Sequence, residues 1–291
     1  MSSRPALITG GAGQLSSDLQ ELLGADARSY MRAELDITDT GALARAFADT
    51  EPALVLNCAA FHNVDVCETE QDRAWQVNVR AVRELAGHCA RHGVKLVHLS
   101  TNYVFDGTRE APYGERDLPN PRSIYALTKL AGEYAALAYA PDALVVRSAG
   151  LYGLHGSRSK GGNFVQRMTA RAREKGALNM VADQRLSPTF TADLAAAILE
   201  AIEHGARGVV HLTSSGACSW LEFTEAIMEI AGIDVSIEPV STTVAPGGAD
   251  RPLNGVLAND AATDLGLRPL RSWREGLADY MRRAGLSRHG S

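Results

Sequence analysis

The feature that most constrains the fold is an alternation of short apolar runs with amphipathic helical segments in the first half of the chain. The apolar runs are continuous, which is typical of strands buried on both faces of a parallel sheet. These runs lie at residues 6–9, 54–57, 95–99 and 143–147. Helical periodicity follows at residues 15–23, 75–92 and 125–139. The order predicts an α/β fold, a Rossmann-type doubly wound parallel sheet covered by helices.

A glycine turn separates the first strand from the first helix. Residues 10–16 read GGAGQLS, which has the spacing of a GxxGxxG turn with Ser16 in place of the third glycine. Such glycines let a pyrophosphate approach backbone N–H groups, and the helix N-terminus then stabilises the anion. The turn predicts NAD(P) binding by Gly10, Gly13, Gln14 and Leu15. A glycine-rich turn without a ligand is the competing interpretation.

Cofactor preference depends on the residues that follow the second strand, which is expected to end near residues 30–31. An acidic residue there favours NAD, whereas an arginine favours the 2′-phosphate of NADP. Arg32, with Arg28 nearby, therefore predicts NADPH, and NADH stays open as an alternative. The competing interpretation is that both arginines are ordinary surface residues. Asp36 and Ile37 are expected beside the adenine.

A tyrosine and a lysine four residues apart provide the candidate catalytic pair. Tyr125 and Lys129 share one face of the predicted helix. A free phenol has a pKa of about 10, and a neighbouring ammonium lowers it. The pair can therefore protonate a carbonyl oxygen while a nicotinamide delivers hydride to the carbon. A chance pair on an exposed helix is the alternative for the tyrosine and lysine. A hydroxyl of Ser100-Thr101, at the end of a strand, can hydrogen-bond the same carbonyl, and capping of the following turn is the competing interpretation.

The second half of the chain predicts a smaller α/β lobe. Helices are expected at residues 163–175, 191–203 and 219–230, with short strands near 179–181, 209–212 and 236–240. We assign residues 1–148 to an NAD(P)-binding domain, to which a segment at about 177–205 returns, and residues 149–291 to a substrate-binding lobe. The cleft between two such lobes is the default substrate site.

Charge and composition exclude several classes of protein. The net charge is −5 and no block of lysine and arginine stands out, so no nucleic-acid partner is expected. The chain has no run of about 18 apolar residues, and its start resembles a strand rather than a signal peptide, so no membrane partner is expected. Four scattered cysteines are typical of reduced thiols in a cytoplasmic protein. No metal site is expected, because His88, Cys89 and His92 lack a further evident ligand.

The motifs together resemble the extended short-chain dehydrogenase/reductases and, more narrowly, the dTDP-4-dehydrorhamnose reductase family. The resemblance covers nearly the whole chain. Its most specific parts are YVFDG at residues 103–107, PNPRSIYALTKLAGE at 119–133 and DQRLSPT at 183–189. Further parts are ELDITD at 34–39, NCAA at 57–60, Val64-Asp65, Val77-Asn78, Gly162-Asn163-Phe164 and Arg251-Pro252.

The resemblance implies an activity and a set of site residues. It implies a catalytic triad of Thr101, Tyr125 and Lys129, which reduces the 4-keto group of a dTDP-4-keto-6-deoxy-L-hexose with NADPH or NADH. It implies further cofactor contacts at Cys58, Ala59, Ala60 and Asn78. It implies substrate contacts at His62, Val64, Asn102, Tyr103, Asn163, Gln184 and Arg185, with Arg158 and Lys160 near the diphosphate. We consider a homodimer as the assembly of this chain.

Three positions depart from the family pattern, and each is expected to face the sugar. Asn102 stands where an aspartate is usual, His62 where a threonine is usual, and Gly150 where a tryptophan is usual. An alternative function therefore stays open: a non-catalytic NADP-binding regulatory subunit similar to the methionine adenosyltransferase β subunit, whose LYG sequence resembles residues 151–153. A dehydratase is disfavoured, because Asn102-Tyr103 replaces the Asp-Glu pair that such enzymes carry after the threonine.

Overall fold

The computed structural model describes residues 4–155, 161–244 and 247–288. Its strands, in chain order, are β1 (Ala6–Thr9), β2 (Ala27–Tyr30), β3 (Leu54–Asn57), β4 (Lys95–Thr101), β5 (Leu144–Ser148), β6 (Ala177–Val181), β7 (Arg185–Leu186), β8 (Gly208–His211), β9 (Cys218–Ser219) and β10 (Ser236–Val240). Six of them form a sheet in the order β2-β1-β3-β4-β5-β8, and all neighbours in it are parallel. The predicted α/β class with a doubly wound parallel sheet is confirmed.

The helices cover this sheet and build the second half of the molecule. They are α1 (Gln14–Leu23), α2 (Thr40–Thr50), α3 (Val64–Thr69), α4 (Gln71–Trp75), α5 (Ala81–His92), α6 (Ile124–Tyr139), α7 (Phe164–Lys175), α8 (Thr191–Glu203), α9 (Trp220–Ala231), α10 (Asp260–Asp264) and α11 (Trp273–Arg283). None of the described helices combines the length and apolar character that crossing a membrane requires.

The continuous hydrophobicity of the strands follows from burial on both faces of the sheet. On β1, Leu7 packs into one apolar core with α2 and α5, whereas the adjacent Ile8 packs into the opposite core with α1 and α8. The same alternation holds for Leu96 and Val97 on β4. Because successive side chains of a strand point to opposite faces and both faces are covered, most strand positions are apolar.

The sheet topology brings the predicted site residues to one edge. The strand order reverses at β1, which pairs with both β2 and β3, and ligands of such sheets bind at the carboxyl ends beside this reversal. The glycine turn follows β1, residues 58–60 follow β3, and Thr101 closes β4. The parallel register therefore places all three strand ends along the same edge.

The second half of the chain both forms its own structure and returns to the sheet. Strand β6 pairs with β10, and β7 pairs with β9, in two small sheets outside the central one. Helices α7, α9 and α11 enclose an aromatic cluster around Tyr152, Phe190 and Phe223. Helix α8 packs against α1, and β8 extends the central sheet beside β5.

The predicted helix at residues 75–92 contains a break in its regularity. Residues Gln76–Arg80 form a π-helical turn between α4 and α5. Gly132 of α6 lies against this turn, because a Cβ atom at residue 132 would collide with the backbone carbonyl oxygen of Asn78. The missing side chain thus allows α6 to lie close to the turn.

This close approach predicts a large cost for one added methyl group. Gly132→Ala is expected to lower the free energy of unfolding by about 1–3 kcal/mol, because the carbonyl oxygen of Asn78 cannot move away without distorting the turn. Gly87→Ala, in α5, is the matched control: its Cβ would meet only the flexible Arg91 side chain, so it is expected to be neutral or to stabilise by up to about 1 kcal/mol. Urea unfolding compares the two; equal effects would contradict the packing described.

Candidate active site

The glycine turn forms a tight cradle at the carboxyl end of β1. Gly10 has φ +70°, and a Cβ there would lie 2.9 Å from the Ala59 backbone nitrogen. The Gly13 N–H donates to the Gly10 carbonyl oxygen at 2.8 Å, and α1 begins at the next residue. No side chain of the described residues caps the first turn of α1, so its backbone N–H groups are available to an anion. The cradle fits the pyrophosphate of a dinucleotide.

Ser16, the departure from the glycine spacing, stabilises the turn. Its side chain is fully buried, and its hydroxyl donates to the carbonyl oxygens of Gly10 at 2.7 Å and Gly13 at 2.9 Å. The serine therefore points back into the turn. Gln14 links the turn to the loop after β5 by accepting from the Gly153 N–H at 2.7 Å, and Leu15 packs into the core under α1.

The residues expected at the adenine lie after β2. Arg32 is 67% exposed and donates through Nε and Nη2 to Oδ2 of Asp36, each at 3.1 Å. The other carboxylate oxygen of Asp36 accepts from the Thr38 backbone N–H and hydroxyl. Ile37 is buried in the core. Arg28 instead lies over the Tyr30 ring, 4.6 Å from its centroid.

The residues after β3 line the edge between the glycine turn and α6. Cys58, Ala59 and Ala60 are partly buried, and burial raises the pKa of the Cys58 thiol to about 12, so it is neutral. Asn78 is buried and binds within the protein. Its Oδ1 accepts from the Phe61 N–H, and its Nδ2 donates to the Phe61 carbonyl and to Thr128 of α6. Asn78 thus shapes the edge rather than offering a free polar group.

Thr101 and Tyr125 come together where β4 ends and α6 begins. Thr101 is the last residue of β4, and its Oγ1 accepts from the Tyr103 N–H at 3.2 Å. Tyr125 lies in the first turn of α6, which begins after the cap that the Ser123 hydroxyl provides to Ala126 N–H. The Thr101 hydroxyl lies close enough to Tyr125 to influence the pKa of its phenol, and the Tyr103 ring packs edge-on against Tyr125 at 5.8 Å.

Lys129 lies one helical turn after Tyr125 and is held by β4. Its side chain is 3% exposed, and its Nζ donates to the Leu99 carbonyl oxygen at 2.7 Å. Burial lowers the pKa of Lys129 to about 8, although Glu133 and Cys58 oppose this change. An amine with this pKa releases a proton far more readily than an exposed lysine does.

The pKa of Tyr125 differs from the sequence expectation. The neighbouring ammonium was expected to lower it, but burial raises it well above the usual value, with Tyr103 and Cys67 adding to the increase. The Thr101 hydroxyl favours the phenolate and opposes burial only in part. The expectation was wrong for this state because desolvation of the phenolate is the largest cause of the shift, and Lys129 does not contribute to it.

A polar group that sequence reasoning missed connects the site to the C-terminal half. Arg251 donates to Asp65 of α3 at 2.7 Å and lies close to Tyr103, while burial raises the pKa of the Tyr103 phenol. Asp65 also accepts from the Ala249 N–H. Val64-Asp65 and Arg251-Pro252 were noticed as motifs, but a separation of 186 residues gives no sequence signal that they pair.

The expected substrate residues divide into buried and exposed groups. Asn102 is 4% exposed, and its Nδ2 donates to the Gly255 carbonyl oxygen at 2.9 Å. Gln184 is buried and donates to Thr242, whereas Arg185 is exposed on β7 with its backbone bonded to residues 253 and 255. His62 is exposed and Val64 is partly buried at the start of α3.

Asn163 is a structural link in the described structure. It caps α7 through Oδ1, and its Nδ2 donates to the Gly153 carbonyl oxygen and to the Tyr280 hydroxyl, both at 2.8 Å. The amide has therefore used both of its protons within the protein. Arg158 and Lys160, which were expected near the diphosphate, lie outside the described residues.

Gly150 stands where the family pattern has tryptophan, and its surroundings require glycine. It has φ +57°, and a Cβ there would lie 2.7 Å from the Leu186 side chain and 3.1 Å from the Pro188 Cα. A larger side chain at this position would displace the segment that contains β7. The packing around residue 150 therefore explains why this chain has glycine there.

The only group of metal-ligand residues in the described ranges lies at α1. Asp18, Glu21 and His155 place one donor atom each within 4.8 Å of one another, with Asp18 buried and the other two exposed. His88 and His92, which were considered for a metal, instead stack on each other beside Phe47, with ring centroids 6.3 Å apart.

The parallel sheet, its glycine cradle and the Tyr125/Lys129 helix define a nicotinamide-dependent oxidoreductase of the extended short-chain dehydrogenase/reductase class. The sequence profile of the RmlD substrate binding domain matches residues 4–285. The chain belongs to this family, and the resemblance to the dTDP-4-dehydrorhamnose reductases is confirmed.

Individual relatives cover almost the whole chain. The dTDP-4-keto-6-deoxy-D-glucose reductase of Streptomyces niveus is 38% identical over 276 residues, which are 93% of this chain and 94% of that protein. The dTDP-4-dehydrorhamnose reductase of Mycobacterium tuberculosis is 38% identical over 285 residues, 95% and 92% of the two chains. A crystal structure of dTDP-4-dehydrorhamnose reductase from Bacillus anthracis in complex with NADP is 34% identical, with a TM-score of 0.91 over 97% of this chain and 100% of that one.

The Asn102 contact predicts what restoring the family's aspartate would do. Asn102→Asp is expected to lower the free energy of unfolding at pH 7 by about 1–3 kcal/mol, because a buried carboxylate would face the Gly255 carbonyl oxygen without a donor. The loss should shrink as the pH falls, because a protonated carboxyl group can donate to that oxygen. Urea unfolding at pH 5 and pH 7 measures it.

Asn179→Asp on β6 is the control for this experiment. Asn179 is exposed, so the same chemical change there is expected to cost no more than about 0.5 kcal/mol. Equal stability changes at residues 102 and 179 would show that the Asn102 contact does not favour an amide.

Proposed function

We propose that this chain reduces the 4-keto group of a dTDP-4-keto-6-deoxy-L-hexose, with NADPH as the preferred hydride donor and NADH as the alternative. The observation that carries the proposal is the convergence of Thr101, Tyr125 and Lys129 at the strand edge that also holds the glycine cradle. The names of two relatives that are each 38% identical support a dTDP-linked keto sugar as the substrate.

Cofactor binding is assigned to the residues around the cradle. Gly10, Gly13, Gln14 and Leu15 receive the pyrophosphate at the start of α1. The exposed Arg32 receives the 2′-phosphate of NADPH, and Asp36 and Ile37 border the adenine. Cys58, Ala59, Ala60 and Asn78 form the wall between the cradle and α6. Tyr125 and Lys129 would hold the nicotinamide end of the cofactor, which would supply a hydride.

The reaction needs an acid at the keto oxygen. When bound, the nicotinamide supplies the hydride that adds to the carbonyl carbon. Tyr125 gives its proton to the keto oxygen, and Thr101 donates a hydrogen bond to the same oxygen as negative charge develops there. Lys129 then returns a proton to the Tyr125 phenolate.

The pKa shifts set the resting protonation states of the pair. A raised pKa keeps Tyr125 as the neutral phenol at neutral pH, although it also makes that phenol a weaker acid. A lowered pKa, about 8, makes the Lys129 ammonium a stronger acid than an ordinary lysine, so it is suited to returning a proton to the phenolate.

Substrate binding is assigned to the C-terminal half of the cleft. His62, Val64, Asn102 and Tyr103 approach from the first half, and Asn163, Gln184 and Arg185 approach from the second. In this arrangement Asn102 and Asn163 stabilise the walls of the cleft, because their amides bind within the protein. The exposed Arg185 is available to an anionic diphosphate.

The proposal extends to organisation and location. Residues 1–148 form the dinucleotide-binding domain, to which the segment at about 177–205 returns through α8, which packs on α1. Strand β8, just beyond that segment, also joins it by pairing with β5. Residues 149–291 supply the substrate lobe. A cytoplasmic location and a homodimer complete the proposal, and light scattering of the purified chain tests the dimer.

The regulatory alternative rested on the LYG sequence at residues 151–153. In the structure, Tyr152 is fully buried against Phe190 and Tyr280, and Gly153 contacts Gln14 and Asn163. These contacts explain the sequence by packing, so they give no support to a non-catalytic role.

Tyr125→Phe separates the enzyme from a binding protein. The variant should lose at least about a hundredfold in kcat, because the proton donor is gone, while NADPH binding stays within about twofold. NADPH oxidation with a panel of dTDP-4-keto-6-deoxyhexoses measures the first, and nucleotide fluorescence titration measures the second. Tyr134→Phe, an exposed tyrosine of the same helix, is the control. Full activity of Tyr125→Phe would refute the proposed reaction.

Arg32→Ala tests the cofactor preference. Losing one exposed charge-assisted bond to the 2′-phosphate should weaken NADPH binding about three- to tenfold. NADH binding should be unchanged, because NADH lacks that phosphate. Arg45→Ala is the control, because Arg45 is also exposed and also paired with an aspartate, at 3.8 Å. Parallel weakening of NADH and NADPH would place Arg32 away from the 2′-phosphate.

A further inference from the structure

A row of buried polar side chains crosses the sheet below the site and ends at Lys129. Thr9, Asn57 and His98 are each no more than 1% exposed and lie on the adjacent strands β1, β3 and β4. The sheet register pairs Thr9 with Asn57 and Asn57 with His98. Polar groups buried this deeply must satisfy one another, so the direction of each hydrogen bond can be worked out.

The Thr9 hydroxyl sets the direction of the whole row, because its one proton goes to Asn57 Oδ1. The Ala59 N–H donates to the Thr9 hydroxyl oxygen at 3.3 Å, and the Thr9 hydroxyl donates to Asn57 Oδ1 at 2.6 Å. The Asn57 amide therefore presents its Nδ2 to His98, whose Nδ1 lies 2.9 Å away. Because the amide nitrogen can only donate, His98 Nδ1 must accept.

This direction determines which nitrogen of His98 carries the proton. Burial, together with the nearby Lys129 charge, lowers the pKa of His98 well below its usual value, so the ring is neutral and has one N–H. With Nδ1 accepting, that N–H is on Nε2, which lies 3.5 Å from the Lys129 Nζ. A donor thus faces an ammonium that has only donors of its own.

We propose that His98 is a positioning residue that presents its Nε2–H to Lys129 and thereby favours release of the lysine proton. Tyr125 gives its proton to the keto oxygen, and Lys129 gives one to the resulting phenolate. The neutral amine left behind can then accept the hydrogen bond from His98 Nε2 that the ammonium could not. Lys129 regains its proton from solvent before the next turnover.

The other groups around Lys129 do not provide this effect. On α6, Glu133 favours the ammonium, but its carboxylate is already bound by Arg147 of β5 at 2.6 Å and by the Ser100 hydroxyl at 2.5 Å. The Cys58 thiol after β3 is neutral. Tyr125 is protonated, and the Leu99 carbonyl of β4 accepts from Lys129 in either charge state. His98 is therefore the neighbour that distinguishes amine from ammonium.

Nuclear magnetic resonance measures the protonation states of Lys129 and His98 directly. The sequence has four lysines, Lys95, Lys129, Lys160 and Lys175, so a chain carrying 13C at lysine Cε gives four resolvable signals. Lys129→Arg assigns the signal of residue 129. Histidine 15N spectra identify the protonated ring nitrogen of His98, which is expected to be Nε2 in the unmodified chain. Neither measurement requires turnover.

Thr9→Val should reverse the direction of the hydrogen bonds along the row without altering the His98 side chain. It removes the hydroxyl that holds Asn57, so the amide can turn its oxygen toward His98 Nδ1. His98 then carries its proton on Nδ1, and its Nε2 accepts from the ammonium. The Lys129 titration midpoint, about 8 in the unmodified chain, should rise by about one pH unit. Thr9→Ser keeps the hydroxyl and should retain the original midpoint.

The kinetic consequence rests on the proposed function, whereas the lysine titration does not. If the enzyme is active, the pH dependence of kcat should shift with the Lys129 midpoint in Thr9→Val and not in Thr9→Ser. A His98 proton on Nδ1 in the unmodified chain would overturn the proposal without any variant. A Lys129 midpoint that is equal in Thr9→Val and Thr9→Ser would overturn it too.

Discussion

The hydrogen bond from Lys129 Nζ to the Leu99 carbonyl oxygen joins helix α6 to strand β4, and the site depends on it. The bond fixes the helix above the strand whose last residue is Thr101. Tyr125, one turn earlier on the helix, is thereby brought against Thr101. The glycine at residue 132 allows the same helix to lie close to the π-helical turn. Sheet, helix and turn together determine where a proton donor can lie.

Burial of this junction accounts for its chemistry. Desolvation disfavours charge, so it raises the pKa of Tyr125 and lowers that of Lys129. The lowered pKa makes the Lys129 ammonium a stronger acid, whereas the raised pKa keeps Tyr125 as the neutral phenol. The same burial obliges every polar group beneath the site to find a partner. The side chains that satisfy one another there also set the proton state of the lysine.

The sequence predicted the sheet, the glycine turn and the catalytic helix because these are local patterns. Continuous apolar runs, glycine spacing and an i, i+4 pair can each be recognised without knowing what the residues contact. The sequence could not predict two other kinds of feature. The Asp65–Arg251 ion pair joins residues far apart in sequence, and the raised pKa of Tyr125 depends on how deeply the phenol is buried. The departures at Ser16 and Asn102 were visible, but only their contacts explain them.

Transfer of an isotopic label tests the central claim, reduction of a nucleotide-linked 4-keto sugar, most directly. The chain would be incubated with a dTDP-4-keto-6-deoxyhexose and NADPH carrying deuterium at the transferable position of the nicotinamide. The account predicts that mass spectrometry finds one deuterium in the sugar, at the carbon that held the keto group. Complete oxidation of the cofactor with no deuterium in the sugar, or no reaction with any such sugar nucleotide, would contradict it.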